Sequence, residues 1–292
     1  MLPSPLPESL DRADADGRPP RELNHAATPI VASLRQVSRS SPYLAISDAT
    51  ADLELLPTFD RLEAVWVADA DARMLSLLAQ CHNIRAISLE SNIIESLAPL
   101  GACTSLRHVS IAAARRLTSI HALAELPRLR TLLLWNVPRM TDLESVGTLT
   151  DLIGLQCGGA MWRTHSLPTL APLSRLRRLR YLDLPATRVA SDSLEPLAAL
   201  KELRELFLPN IYAIEEFAAL AASLPNTSGD CLRSHWEGTL PCAVCGTARV
   251  LETGRGGRFV CPRCAPERVA KRAAKFDALV SRGGFHSRAS AS

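Results

Sequence analysis

Ile84-Arg-Ala-Ile87-Ser-Leu89-Glu-Ser-Asn92-Ile-Ile94-Glu-Ser-Leu97-Ala-Pro-Leu100-Gly-Ala-Cys103-Thr-Ser-Leu106 is the stretch that decides the fold. Ile87 and Leu89 flank one polar residue, so both side chains point the same way, as on a strand. Beyond Leu89 the apolar residues recur about every third position, at Ile94, Leu97, Leu100 and Cys103, a period that suits 3₁₀-like turns. One such unit has an apolar side and nothing of its own to bury it against. It must stack on neighbours of the same kind.

Those neighbours are present. The pattern apolar-x-x-apolar-x-apolar appears at Leu62/Val65/Val67, Ile84/Ile87/Leu89, Leu106/Val109/Ile111 and Leu129/Leu132/Leu134, then at Leu152/Leu155/Cys157, Leu179/Leu182/Leu184 and Leu203/Leu206/Leu208. The first positions lie 22, 22, 23, 23, 27 and 24 residues apart. A degenerate unit with Leu44 and Ile46 precedes them. Three-residue periodicity follows the strands elsewhere too, as in Leu117, Ile120, Leu123, Leu126 and in Met140, Leu143, Val146, Leu149. Each strand can pair in parallel with the next one, and the 3₁₀-like segment brings the chain back one strand spacing further on.

Over residues 42–225 the chain resembles the leucine-rich-repeat family, in its short bacterial class of about 22 residues per repeat. The resemblance implies an α/β solenoid with a parallel sheet on its concave face. It places Asn92 at the family's asparagine position, where the amide hydrogen-bonds backbone in the turn; the equivalents elsewhere are Ala70, Ala114, Val137, Ala160, Thr187 and Ile211. Cys103 and Cys157 fall on inward positions and read as small buried hydrophobes. Ile214, Phe217, Leu220, Ala221 and Leu224 fit one face of a helix that caps the open end. Pro225-Asn-Thr-Ser-Gly-Asp230 breaks it.

Composition agrees. The chain has 292 residues, 47% of them hydrophobic and only 4% aromatic, so aliphatic side chains must build the core. The formal net charge is +3, unevenly spread: from Arg233 onward there are eleven Lys/Arg against four Asp/Glu, leaving the body mildly acidic. Thirty arginines against three lysines read as a GC-rich, bacterial coding bias. The opening residues lack the basic and apolar regions of a secretory signal, and no apolar run nears the ~20 residues of a membrane span. The expectation is a cytoplasmic protein without a membrane partner, in which clustered cysteines point to metal rather than disulfides.

Four of the eight cysteines cluster. Cys242-Ala-Val-Cys245-Gly246 and Cys261-Pro-Arg-Cys264 form CxxC-x15-CxxC, the spacing of a four-thiolate Zn2+ site. Gly246 permits the positive φ that such a turn often needs. Ala248–Glu252 and Arg258–Val260 read as short strands joined by the turn Thr253-Gly-Arg-Gly-Gly257. Residues 240–266 resemble the zinc-ribbon family. Four sulfurs at a tetrahedral ion leave no position open for water, so the ion is expected to be structural. Cys231 and His235 read as linker residues beside a site that is already complete.

Two surfaces are candidates for a partner. The outward residues of the strands line the concave face, and the expected protein-binding set is Trp66, His108, Leu133, Trp135, Gln156, Tyr181, Asp183, Glu205 and Phe207, rich in the aromatics that dominate interface energetics. Trp162, in the longer insertion 158–165, would overhang one edge. The alternative partner is nucleic acid, bound by Arg255, Arg258 and Arg263 on the ribbon and by Arg268, Lys271, Arg272 and Lys275 on a C-terminal helix. Catalysis has little support: GxGxxG, P-loop, GxSxG and HExxH are absent, and the seven histidines are dispersed. The expected organisation is a disordered arm over 1–40, the solenoid with its capping helix over 41–225, a linker over 226–239, the zinc ribbon over 240–266, and a basic helix with a flexible tail over 267–292. The expected function is non-enzymatic protein binding.

Overall fold

The computed structural model describes residues 29–140, 143–159 and 164–285. Eight parallel strands form one sheet, taken in order: β1 (Tyr43–Ile46), β2 (Ala64–Val67), β3 (Ala86–Glu90), β4 (His108–Ala112), β5 (Thr131–Trp135), β6 (Gly154–Gly158), β8 (Tyr181–Asp183) and β10 (Glu205–Phe207). Equivalent residues of successive repeats pair in register, so that Val65, Ile87, Val109, Leu132, Leu155, Leu182 and Leu206 stack as one inward row. The return path carries short 3₁₀ helices at Leu53–Thr58, Ala98–Ala102, His121–Glu125, Ala171–Arg175 and Glu195–Ala199. Where Asp71 accepts the Met74 N–H at 2.7 Å and no proline intervenes, the return path is α-helical instead: α1 (Ala72–Leu78). A second short helix, α2 (Glu144–Gly147), serves the fourth full repeat.

Most of the buried apolar residues form one continuous cluster from Leu34 to Phe285, and Ala64 and Ala86 form a small second one with Tyr43 against it. The turns leaving the strands repeat as well. Asp69, Ala113, Asn136 and Ala186, each two residues past the last inward apolar position, all have positive φ, between 49° and 58°. The asparagine position is filled differently from the expectation. Asn92 is exposed, and the buried polar group of that turn is Ser91. Its hydroxyl donates to the Ala70 carbonyl of the preceding repeat at 2.7 Å and accepts the N–H groups of Ile93 and Ile94. Ser91 occupies the turn position that has positive φ in those other repeats but does not share that conformation, and it turns inward in place of Asn92. Ala70, Ala114 and Val137 are buried at the equivalent turns, and Thr187 is buried with its hydroxyl on the Cys157 carbonyl.

Two strands fall outside the main sheet, β7 (His165–Leu167) and β9 (Thr187–Val189), and they pair with each other in parallel. β7 lies in the repeat that stretches to 27 residues, and β9 in the repeat after it. His165 is buried there with Nε2 2.7 Å from the Met140 carbonyl.

The ends are covered by chain. Residues 29–40 are packed rather than extended into solvent, which corrects the boundary expected for the arm. Leu34 is fully buried, Val31 N–H reaches the Ala45 carbonyl, Ser33 bonds Asp52 at 2.6 Å, and the Arg39 guanidinium lies 4.8 Å over the Phe59 ring. Leu34 supplies the apolar contact that the first strand lacks on its open side. Residues 1–28 and 286–292 lie outside the described residues, as does Trp162. At the other end sits the capping helix α3 (Ile214–Ser223), with Phe217 buried under Tyr212 in an edge-to-face pair at 6.0 Å. No described helix is long and apolar enough to cross a membrane.

Leu132 sits in the middle of the inward row and is fully buried. Leu132→Ala is expected to destabilise the chain by about 2–5 kcal/mol, the cost of a cavity that rigid neighbours cannot close. Chemical denaturation read by circular dichroism checks this.

Candidate functional site

The concave face carries three rows of side chains set by strand register. The first runs Tyr43, Ala64, Ala86, His108, Thr131, Gly154, Tyr181 and Glu205. The second runs Ala45, Trp66, Ser88, Ser110, Leu133, Gln156, Asp183 and Phe207 across the same strands. The third, on the longest strands only, is Glu90, Ala112, Trp135 and Gly158.

These rows sort the expected binding residues. Phe207 is 45% exposed and Trp135 39%, both large apolar side chains facing solvent. Leu133, Gln156 and Asp183 are half-buried between them. Tyr181 is buried, with its ring 5.7 Å from that of Phe207 at a tilt of 46°. Adjacent strands are about 4.8 Å apart, so Leu133 and Phe207 lie about 14 Å from each other and the group forms one patch. Trp66 stands apart, separated by Ser88 and Ser110. Glu205, half-buried, lies beyond the patch on the first row. His108 does not belong to the surface. It is fully buried, with Nδ1 2.9 Å from the Thr131 hydroxyl. Its row neighbours Ala86 and Thr131 are small enough for the ring to lie down between strands instead of standing out.

The four cysteines of the C-terminal segment meet. Their sulfurs all lie within 4.8 Å of one another, with Cys245–Cys261 and Cys245–Cys264 at 3.4 Å and Cys242–Cys264 at 3.9 Å. These separations exceed a disulfide bond of about 2.05 Å. They bracket the edge of about 3.8 Å that follows from four sulfurs at about 2.3 Å from a central ion. The group can hold a metal ion. Gly246 takes φ 73°, as the first turn requires. Backbone N–H groups of Val244 and Cys245 hold the Cys242 thiol below its ordinary value, and the Thr247 hydroxyl and N–H bring Cys245 down to about 6. Hydrogen bonding to Cys245 and Cys261 pushes Cys264 up to about 12. Four crowded sulfurs cannot all ionise together without a cation among them. The other cysteines are inert by comparison. Burial raises Cys157 and Cys231 to about 12 and Cys81 and Cys103 to about 11.

The cysteine segment does not hang from a linker. His235–Trp236 (β11) pairs antiparallel with Val250–Glu252 (β12), which pairs with Phe259–Val260 (β13). Residues expected to link two parts are thus a strand of the second part. Cys231 is fully buried, with its thiol directed at the Leu206 carbonyl, so it is no extra ligand. Asn210 clamps the β12–β13 hairpin from the last repeat: its amide donates to the Glu252 carbonyl at 3.0 Å and its oxygen accepts the Gly254 N–H at 2.7 Å. Gly254 has φ 103°, and a Cβ there would lie 2.9 Å from that of Ile214. Only glycine fits this approach.

The basic residues expected at a nucleic-acid surface largely serve the same junction. Arg255 reaches Asp192 at 2.7 Å and the Ile211 carbonyl at 2.9 Å. On α4 (Pro266–Ser281), Arg268 grips the buried Glu252 through two bonds of 2.9 Å, Arg272 donates to the Thr253 carbonyl, and Lys275 pairs with Glu215 at 3.3 Å. Phe276 and Leu279 of the same helix join the main core. Arg258, Arg263 and Lys271 have exposed side chains. Sequence reasoning missed Asn210 as a clamp and Glu252 as an anchor. Their partners lie 42 and 16 residues away, so no local period marks them.

The stacked parallel repeats make the chain a leucine-rich-repeat solenoid, fitted at its C-terminal end with a four-cysteine cluster. No family model matches the chain, and no curated protein matches its sequence. Among solved structures it is similar to internalin C2 of Listeria monocytogenes, at 20% identity over 52% of this chain and 64% of that one, with a TM-score of 0.41. Internalin F of the same organism matches at 17% identity over 63% and 65%, with a TM-score of 0.40. The TLR13–ssRNA13 complex matches at 18% identity over 65% of this chain and 28% of that one, with a TM-score of 0.47. The chain spans less than two thirds of the length of each.

Glu252 generates a pH prediction. Its bonds from Arg268 hold the carboxyl below its usual range despite burial. The stability it contributes is complete above the ordinary glutamate value of about 4.3 and is lost as pH falls through the lower folded value. Glu252→Gln is expected to lower the unfolding midpoint at pH 7 and to shrink its decline between pH 5 and 3, as scanning calorimetry at several pH values would record.

Proposed function

We propose that this chain is a non-enzymatic intracellular protein-binding module that grips its partner on the concave face, with a structural zinc ion holding the C-terminal segment. The observation that carries this reading is the exposed apolar pair Trp135 and Phe207 on a rigid parallel sheet, with Leu133, Gln156, Tyr181 and Asp183 between and beside them. Large aromatic side chains held out by strands offer contact area at little entropic cost. A patch of this kind with polar residues among it is the mark of a protein interface.

Zinc is favoured over other ions by the donor set. Four sulfurs at near-tetrahedral separations suit Zn2+, and a site saturated by protein ligands has no position for substrate. The ion would supply folding free energy to a segment too small to fold on apolar burial alone.

Two outcomes test the reading. Affinity capture from native cells, followed by titration of the purified partner, should show Trp135→Ala with Phe207→Ala weakening binding by at least about 2 kcal/mol, about thirtyfold, while the unfolding midpoint holds. A partner that binds the double variant as tightly as the parent would refute the concave-face reading. Metal analysis should find one zinc per chain, and Cys261→Ser should lose it. Chelation should lower the unfolding midpoint of the whole chain, because Asn210 and Arg255 tie the metal segment to the last repeat.

A further inference from the structure

The concave face also shows what kind of partner suits it. Its three rows hold twenty residues and not one lysine or arginine, in a chain with 33 of them. At the rim where the strands begin, Arg85, Arg178 and Arg180 are matched by Glu63, Asp151 and Glu202. Trp135 lies at the other end of its strand, four residues beyond Thr131 and so about 13 Å from that rim. Its neighbours in the third row are Ala112 and Gly158. A Cβ at Gly158 would run into the Pro185 carbonyl, so no side chain can stand on that flank. The 39% exposed indole thus has no flanking group in its row larger than a methyl.

Carboxylates line the same strand ends on the N-terminal side of Trp135. Glu90 ends β3, two strand spacings or about 10 Å away. Asp69 and Asp48 follow β2 and β1 by two residues each, on the next two strands of the sheet. All three are exposed, and among the described residues none takes part in an ion pair or a side-chain hydrogen bond. Of the two arginines on the loop after β4, Arg116 pairs with Glu95 at 3.2 Å, and neither pairs with Glu90. We infer that the concave face receives a cationic peptide segment extended across the strands, with one arginine or lysine side chain on the Trp135 ring and others facing Glu90, Asp69 and Asp48. This rests on the concave-face reading and names the chemistry of its ligand. Tryptophan offers a cation the best aromatic face. An extended chain advances about 3.3 Å per residue, so basic residues three apart match the span from Trp135 to Glu90. Apolar residues of the same segment would reach Leu133 and Phe207 on the opposite side of Trp135. The three carboxylates would repel the phosphates of a nucleic acid.

Fluorescence anisotropy on the full chain tests this, using a labelled peptide with arginines three residues apart and leucines at one end, and a matched peptide with glutamine in place of arginine. The arginine peptide should bind, more weakly as salt rises, and at least about tenfold more tightly than the glutamine peptide. Asp48→Lys with Glu90→Lys should weaken it by at least about tenfold. Asp69→Asn with Glu90→Gln, which preserves shape and suits the positive φ of residue 69, should weaken it by about threefold. Trp135→Ala should weaken it by at least about threefold. Glu125→Lys with Glu195→Lys, exposed on the return path, should leave it unchanged. The inference falls if the arginine peptide fails to bind at low salt, or if Trp135→Ala or the charge-reversed Asp48 and Glu90 variant, folded by circular dichroism, binds it as the parent does. A glutamine peptide that binds as tightly as the arginine one and is lost in Trp135→Ala would overturn the cationic ligand and leave the concave-face reading standing.

Discussion

Each repeat can hide its leucines only against the next repeat, and the parallel backbone ladder decides how closely that happens. Because equivalent residues pair in register from β1 to β10, every inward aliphatic meets its counterpart and every outward residue joins a row. The core and the candidate concave surface follow from this single constraint. The concave patch is one column of outward positions.

A stack of this kind has two ends where the constraint is unmet, and the chain spends much of its length on them. Leu34 covers the first strand, and α3, the cysteine segment and α4 cover the last. The cover at the C-terminal end is held by polar clamps as well as apolar packing. Asn210 bonds the hairpin backbone, Glu252 is gripped by Arg268, and Arg255 reaches back to Asp192. Charge that looks like a ligand surface in the sequence is thereby largely consumed inside the molecule.

The repeat and the metal cluster were legible in the sequence because both are local patterns. A spacing of 22 or 23 residues and two CxxC pairs carry their own geometry. What was not legible depends on neighbours that spacing does not reveal. His108 occupies an outward position, yet small residues on both sides let it sink between strands. Asn92 sits where the resemblance places an asparagine, but Ser91 turns inward at that turn and takes its place. Residues 29–40 lack periodicity, and contact with β1, with Thr50, Ala51 and Asp52, and with Phe59 gives them structure.

The small β7–β9 sheet has a further consequence. In a pile of near-identical coils, shifting by one whole unit costs little in leucine contacts, and repeat proteins misassemble in this way. Here one coil differs from all the others. Ser166 and Leu167 need Arg188 and Val189 beside them, and the buried His165 needs the Met140 carbonyl below. A displaced pile would set these groups against turns that offer no strand and no acceptor. The irregular coil therefore acts as a key that tells otherwise interchangeable units where they stand in the count.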